Sequence, residues 1–213
     1  MLAALGAPEI ASLATAAGTL VLAVATFASV RSANRSVRIA ELALEERRRP
    51  VLVQSRLDDT EQKIMFVDQH WLHVRGGGAG VELLDGTVYL AASLRNVGEG
   101  IGVMQGWCAR AGLVSSEVGH AEESDFRGQT RDLYIPPGDV GLWQGALRDP
   151  AEPIYEHIKQ AVSVREPITL ELLYTDQVGH QRTISRFLLM PTSNDVWLAS
   201  VGRHWYLDHD GPR

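Results

Sequence analysis

The chain has 213 residues, 45% of them hydrophobic, with 20 Lys and Arg against 26 Asp and Glu for a formal net charge of −6, and one cysteine, Cys108. An acidic chain is poorly suited to track a phosphate backbone, which excludes nucleic acid as an expected partner. A lone cysteine excludes an internal disulfide framework and agrees with a reducing compartment.

The charge is unevenly placed. Six arginines and four glutamates lie in residues 1–50, which leaves 14 basic and 22 acidic side chains for residues 51–213, a net of −8. That leading segment carries an uncharged run of 21 residues, Ile10 to Val30. As a helix at about 1.5 Å per residue it matches the roughly 30 Å hydrocarbon core of a bilayer. Ala23-Val24-Ala25 resembles a signal-peptidase site, but Met1 to Pro8 has no basic n-region and the apolar run is long for a signal. A soluble core helix would show a polar stripe, and this run offers only Ser and Thr. The reading is a membrane anchor, residues 1–30, with the span at 10–30 and the lipid bilayer as its first partner. Arg31, Arg35 and Arg38 follow the run directly, so the positive-inside rule places the rest of the chain in the cytoplasm, below a plasma (inner) membrane.

Within the span, Ala14 and Gly18 are small residues four apart, the spacing that lets two helix backbones approach closely, and they are the candidate membrane-helix interface. Residues 31–49 then read as a juxtamembrane helix. Val30, Ala33, Val37, Ala40 and Leu44 recur at threes and fours, a stripe that pairs with another copy or packs on the protein's own domain. A protein partner or self-association through these two helical segments is expected. Arg47-Arg48-Arg49 before Pro50 sits where cations offset the helix dipole, with anionic lipid or a partner as the other use.

From Pro50 the pattern alternates, and residues 50–213 read as one β-sandwich domain. Eight short runs, PVLVQSRL, KIMFV, TVYLAASLRN, IGVMQGWCARAG, VGLWQGAL, ITLELLY, RTISRFLLM and VWLASVGRHWYL, are rich in β-branched and aromatic residues and bounded by turn chemistry. Alternation in ITLELLY predicts one dry and one partly wet face. One helix is expected inside the domain, PAEPIYEHIKQAV, with Ile154, Ile158 and Val162 spaced by four.

Taken together, the apolar span, ELALEERRRPVLV, LRNVGEGIGV, IPPGD and LLYTDQVGHQRT resemble a group of uncharacterised bacterial single-pass membrane proteins. That resemblance implies an N-terminal transmembrane helix, a juxtamembrane helix and an immunoglobulin-like antiparallel β-sandwich, and it implies no reaction. Many relatives in the group carry G-x-G-P-A where this chain has Gly98-Glu99-Gly100-Ile101-Gly102.

Chemical motifs are sparse. GEGIG does not open a helix and reads as a bulge or strand corner, and GGGAG at Gly76 to Gly80 lacks the Lys-Ser/Thr of a phosphate loop and reads as a flexible connection. His70 and His73 flank Trp71 and fall on opposite faces of a strand. The densest set of possible metal ligands is His204, Asp208, His209 and Asp210, a composition that a polar terminus produces equally well. Cys108 reads as a buried thiol. The expected function is a membrane-anchored, non-enzymatic interaction module, accessory subunit or scaffold that docks a protein at the cytoplasmic face, without cofactor. The alternative is a metal- or small-molecule-binding sensor or enzyme using the His/Asp-rich C-terminus.

Overall fold

An uncharged run can meet hydrocarbon only with its backbone hydrogen bonds closed internally. In the computed structural model, which describes residues 7–192 and 194–208, α1 is one unbroken helix of 41 residues, Ala7–Arg47, about 60 Å long at 1.5 Å per residue. Leu20, Val21, Leu22, Val24 and Phe27 are exposed along it. The hydroxyls of Thr15, Thr19 and Thr26 donate to the carbonyls of Ala11, Thr15 and Leu22 at 2.8–2.9 Å, so these polar groups are satisfied within the helix. Hydropathy alone extends the apolar stretch over Thr15–Glu41. Burying Arg31, Arg35 and Arg38 in hydrocarbon costs about 2.5–3.5 kcal/mol each, so the part that fits a bilayer core ends near Val30.

The chain forms two compact units, residues 1–46 and 47–213. The second is mainly β and antiparallel. Its strands are β1 (Leu52–Gln54), β2 (Gln62–Met65), β3 (Trp71–Val74), β4 (Gly78–Leu84), β5 (Thr87–Asn96), β6 (Gly102–Ala111), β7 (Arg127–Gly128), β8 (Tyr134–Ile135), β9 (Val140–Leu147), β10 (Ile168–Thr175), β11 (Thr183–Pro191) and β12 (Trp197–Tyr206), with one helix, α2 (Tyr155–Val164). All eight expected runs hold a strand, and the expected internal helix overlaps α2. Two full strands, β3 and β4, were not expected.

Ten strands join in one sheet, β1-β5-β4-β12-β11-β10-β6-β7, with β9 on β5 and β8 on β6, and the sheet does not close into a barrel. The link between β4 and β12 is only two residue pairs long, Ala79 with Trp197 and Gly78 with Leu198. The main core packs Val88, Leu90, Ala92 and Leu94 of β5 and Trp143 of β9 against Trp107 of β6, Leu170 and Leu172 of β10 and Phe187 of β11, with Tyr155, Ile158 and Ala161 of α2 in the same cluster. Alternate residues of β5, Tyr89 and Ala91, instead meet Ile64, Phe66, Leu72 and Val74 of the β2–β3 hairpin. Both faces of β5 are therefore dry, and the strand reads as a nearly continuous apolar run.

Two expectations are corrected. All eight residues of β10 are buried, where one partly wet face was expected. The segment after β6 covers the second face through a buried ion pair. Arg186 Nε donates to Glu171 Oε1 at 2.7 Å, and the other four guanidinium donors reach Glu171 and the carbonyls of Ser115, Val118 and Gly119. Glu171 Oε2 accepts the Ala121 N–H at 2.7 Å. A charged Glu is silent about burial until its partner, 15 residues on, is placed. GGGAG, in turn, is not a loose connection. Gly77 has φ +67°, a Cβ on Gly76 would overlap the Arg56 carbonyl, and one on Gly80 would meet Leu72 and Val74 at 3.0 Å. These glycines let backbones close up as β4 begins.

Candidate functional site

The chain leaves α1 at Arg47 and is gripped at once by the NVGEG turn between β5 and β6. Asn96, fully buried, uses its whole amide: Oδ1 accepts Val51 N–H (3.1 Å) and Gly98 N–H (3.0 Å), and Nδ2 donates to Gly100 O (2.6 Å) and Ile135 O (2.9 Å). A Cβ on Gly100 would overlap the carbonyl of Arg48, and one on Gly98 that of Arg49. The strand-corner reading of GEGIG stands, and its purpose is to seat residues 48–50.

Arg49 completes the clamp. Its Nη1 and Nη2 donate to Asp208 Oδ1 and Oδ2 at 3.0 and 2.6 Å, and its guanidinium carbon lies 4.3 Å from the Tyr206 ring centre. The residue is 4% exposed. A cation offsetting a helix dipole needs no such burial, so Arg49 is a tertiary anchor rather than a dipole partner. Arg47, by contrast, lies 3.8 Å from Glu99 with both side chains largely in water, where an ion pair contributes little.

Beside the clamp runs a buried polar chain. Tyr174 Oη accepts Leu52 N–H at 3.1 Å and lies 2.8 Å from Ser185 Oγ, which lies 2.6 Å from His204 Nδ1. Burial pushes the Tyr174 hydroxyl up to about 12 and pushes His204 below its ordinary value. A neutral imidazole has one N–H and one acceptor nitrogen, so the direction of the Ser185–His204 bond follows the tautomer.

Two of the metal candidates thus have other partners, His204 facing Ser185 and Asp208 holding Arg49, and His209 and Asp210 lie outside the described residues. Among the described residues no three His, Cys, Asp or Glu side chains gather as a metal set. His70 and His73 go to different carboxylates, Glu82 Oε2 at 3.2 Å and Glu61 Oε1 at 3.9 Å. Cys108 is 6% exposed, and burial raises its pKa. In α1, Gly18 has open space where a Cβ would stand, and the side chain of Ala14 is not among those described.

One concave surface of the second unit is a feature that the sequence did not reveal. A groove of about 530 Å³ lies between β3 and the β4–β12 corner, lined by Trp71, His73, Glu61, Glu82, Asp195 and the backbone of Gly78 to Gly80. Three carboxylates border it against Arg75. Leu72 and Val74 of β3 point into the core, which turns Trp71 and His73 outward, and Trp71 is 51% exposed. Among the described residues β3 pairs only with β2, so its other edge is open. Of the five tryptophans, Trp107, Trp143 and Trp197 are buried and Trp205 is half-buried beneath Arg186, which leaves Trp71 as the solvent-facing one. The signal in the sequence was WLHV, whose alternation was hidden by its length of four and by the glycines after it.

No protein-family profile matches this chain, and no curated protein and no solved structure is significantly similar to it.

Proposed function

We propose that this protein is a membrane-anchored, non-enzymatic interaction module, a single-pass accessory subunit or scaffold of a bacterial inner membrane whose immunoglobulin-like β-domain docks a protein partner at the cytoplasmic face. The observation that carries it is the groove beside β3: an exposed tryptophan, an open strand edge and three carboxylates on one concave surface. Aromatic anchors are enriched at binding hot spots, and an open edge accepts an extended segment by main-chain pairing. The carboxylates favour a segment that carries Lys or Arg beside an apolar side chain. Arg31, Arg35 and Arg38 at the C-terminal flank of the apolar run support the cytoplasmic placement. The strands of the domain fold over a shared core, as in two-layer β-proteins.

The test is quantitative co-purification from solubilised membranes with tagged full-length protein, comparing wild type, Trp71→Ala, Glu82→Lys and, as a control in the exposed turn between β10 and β11, Val178→Ala. A partner kept by wild type and control but lost by both groove variants supports the reading. Equal recovery by all four removes the groove as a docking site. A C-terminal reporter active only outside the cytoplasm would overturn the orientation.

A further inference from the structure

Along α1 one set of positions recurs with strictly alternating steps of four and three. It starts at Ser12 and passes through Ala16, Thr19, Ala23 and Thr26 within the apolar run. Beyond the run it continues in phase through Val30, Ala33, Val37 and Ala40 to Leu44. That is about four and a half heptads of a 3.5-residue period, the length and period of a left-handed coiled-coil seam. The helix is continuous under the whole of it, and every seam position is exposed.

Two observations beyond the spacing make this a surface shaped for a helix. First, the membrane half has relief: two consecutive shallow grooves follow the seam, with Ala16, Thr19, Ala23 and Thr26 as floor and Leu20, Leu22 and Phe27 as walls. Small floors between bulky walls receive the ridge of a facing helix, which is the packing available where hydrocarbon provides no hydrophobic drive. Second, the aqueous half carries larger apolar side chains on the same line. Val30, Val37 and Leu44 are 53–55% exposed, although this half follows the arginines and cannot rely on lipid to cover it.

Charge placement selects the occupant. With the seam as heptad positions a and d, Arg31, Arg35 and Arg38 fall at b, f and b, on the far side of the helix. In a parallel, in-register pair the flanking g and e positions bring Leu22 to the partner's Phe27, Ser29 to the partner's Asn34 and Ser36 to the partner's Glu41. These contacts are apolar inside the hydrocarbon and hydrogen-bonding beyond it, and none sets like charges together. A partner that follows this seam must cross the same boundary in the same direction, which a second copy does by construction.

We infer that α1 is a dimerisation element, in which two copies of this chain pair in parallel along the Ser12–Leu44 seam from the bilayer into the water beyond it. The inference rests on the reading of residues 10–30 as a membrane span and deepens the proposed role by placing two grooves on one assembly. Ala14 and Gly18 fall at f and c, off the seam, so the pairing face is not the one those residues mark.

Cysteine-scanning disulfide crosslinking of the full-length protein in isolated membranes tests it, with buried Cys108 common to every variant. Ala23→Cys, Thr26→Cys, Ala33→Cys and Ala40→Cys lie on the seam; Gly18→Cys, Ala28→Cys, Arg35→Cys and Ile39→Cys lie off it. The expected result is crosslinked dimer several-fold more abundant at every seam position than at every off-seam position. Uniform yields, a maximum at Gly18, or adducts only to proteins of another mass overturn the pairing. Alkaline extraction of the same membranes reads the span separately. If the chain washes off while Ala33→Cys and Ala40→Cys still crosslink selectively, the membrane reading fails and the seam stands.

Discussion

Replacing Arg186 by Met removes the centre of the only described ion pair in which both side chains are almost fully buried, 4% and 3% exposed for Arg186 and Glu171. Five guanidinium donors disappear, and the Glu171 carboxylate keeps one donor, the Ala121 N–H. Stranding a buried charge costs about 3–5 kcal/mol, a large part of the roughly 5–15 kcal/mol that holds a domain together. Adding Glu171→Leu removes the stranded charge. What remains is three carbonyls and one N–H without their partners, each worth about 1 kcal/mol and partly recovered by water because the segment after β6 is near the surface. The double variant is therefore expected to lie about 1–3 kcal/mol below wild type and above the single variant. Urea denaturation of residues 47–213, followed by tryptophan fluorescence, reads both values. Trp205 also reports locally, since its ring lies 4.8 Å from the Arg186 guanidinium carbon. A loss below about 1 kcal/mol in the single variant, or a double variant no more stable than the single, would refute the claim that charge burial holds this segment on β10.

A fragment beginning at Arg47 is expected to give a strand-dominated circular dichroism spectrum, and one beginning at Val51 to be less stable by about 1–3 kcal/mol, the value of a part-buried, charge-assisted pair, because it lacks Arg49; equal urea midpoints would remove the clamp from the fold. Gly100→Ala is expected to cost about 1–3 kcal/mol from overpacking on the Arg48 carbonyl, while Gly119→Ala, with open space at its Cβ, stays within about 0.5 kcal/mol; thermal melts of the two variants check this. For His204, burial lowers the folded pKa, so the unfolded chain takes up the proton first. Its contribution is present in full above about pH 6.5 and lost as pH falls through the folded value. His204→Gln should flatten the urea midpoint between about pH 7.5 and 5.5, and an unchanged pH slope would refute it. Tyr174 acts in the opposite sense, with a folded value raised to about 12, so its contribution is complete below about pH 10 and disappears as pH rises toward 12. Tyr174→Phe should remove that alkaline loss when urea midpoints are measured from about pH 9 to 12, and an unchanged loss would refute it.

The sequence by itself determined the elements whose signal is local. An uncharged run of 21 residues is long and apolar enough for a helix that spans a bilayer, and α1 covers it. Alternating β-branched runs between turn residues placed eight strands, and the spacing of Ile154, Ile158 and Val162 placed α2, because periodicity is a property of neighbours along the chain. Tertiary structure decided what depends on partners far apart in sequence. Glu171 became buried because Arg186, itself held by three carbonyls, and the Ala121 N–H donate to it, against an alternation that predicted water. Arg49 looked like one of three equivalent cations until Asp208, 159 residues away, and Tyr206 enclosed it. Glycine carries no side-chain pattern, so β4 was invisible, and with it the corner that leaves β3 open and Trp71 in solvent. Aromatic character is written in the sequence, but which ring faces water is set only when the strands that would cover it are placed.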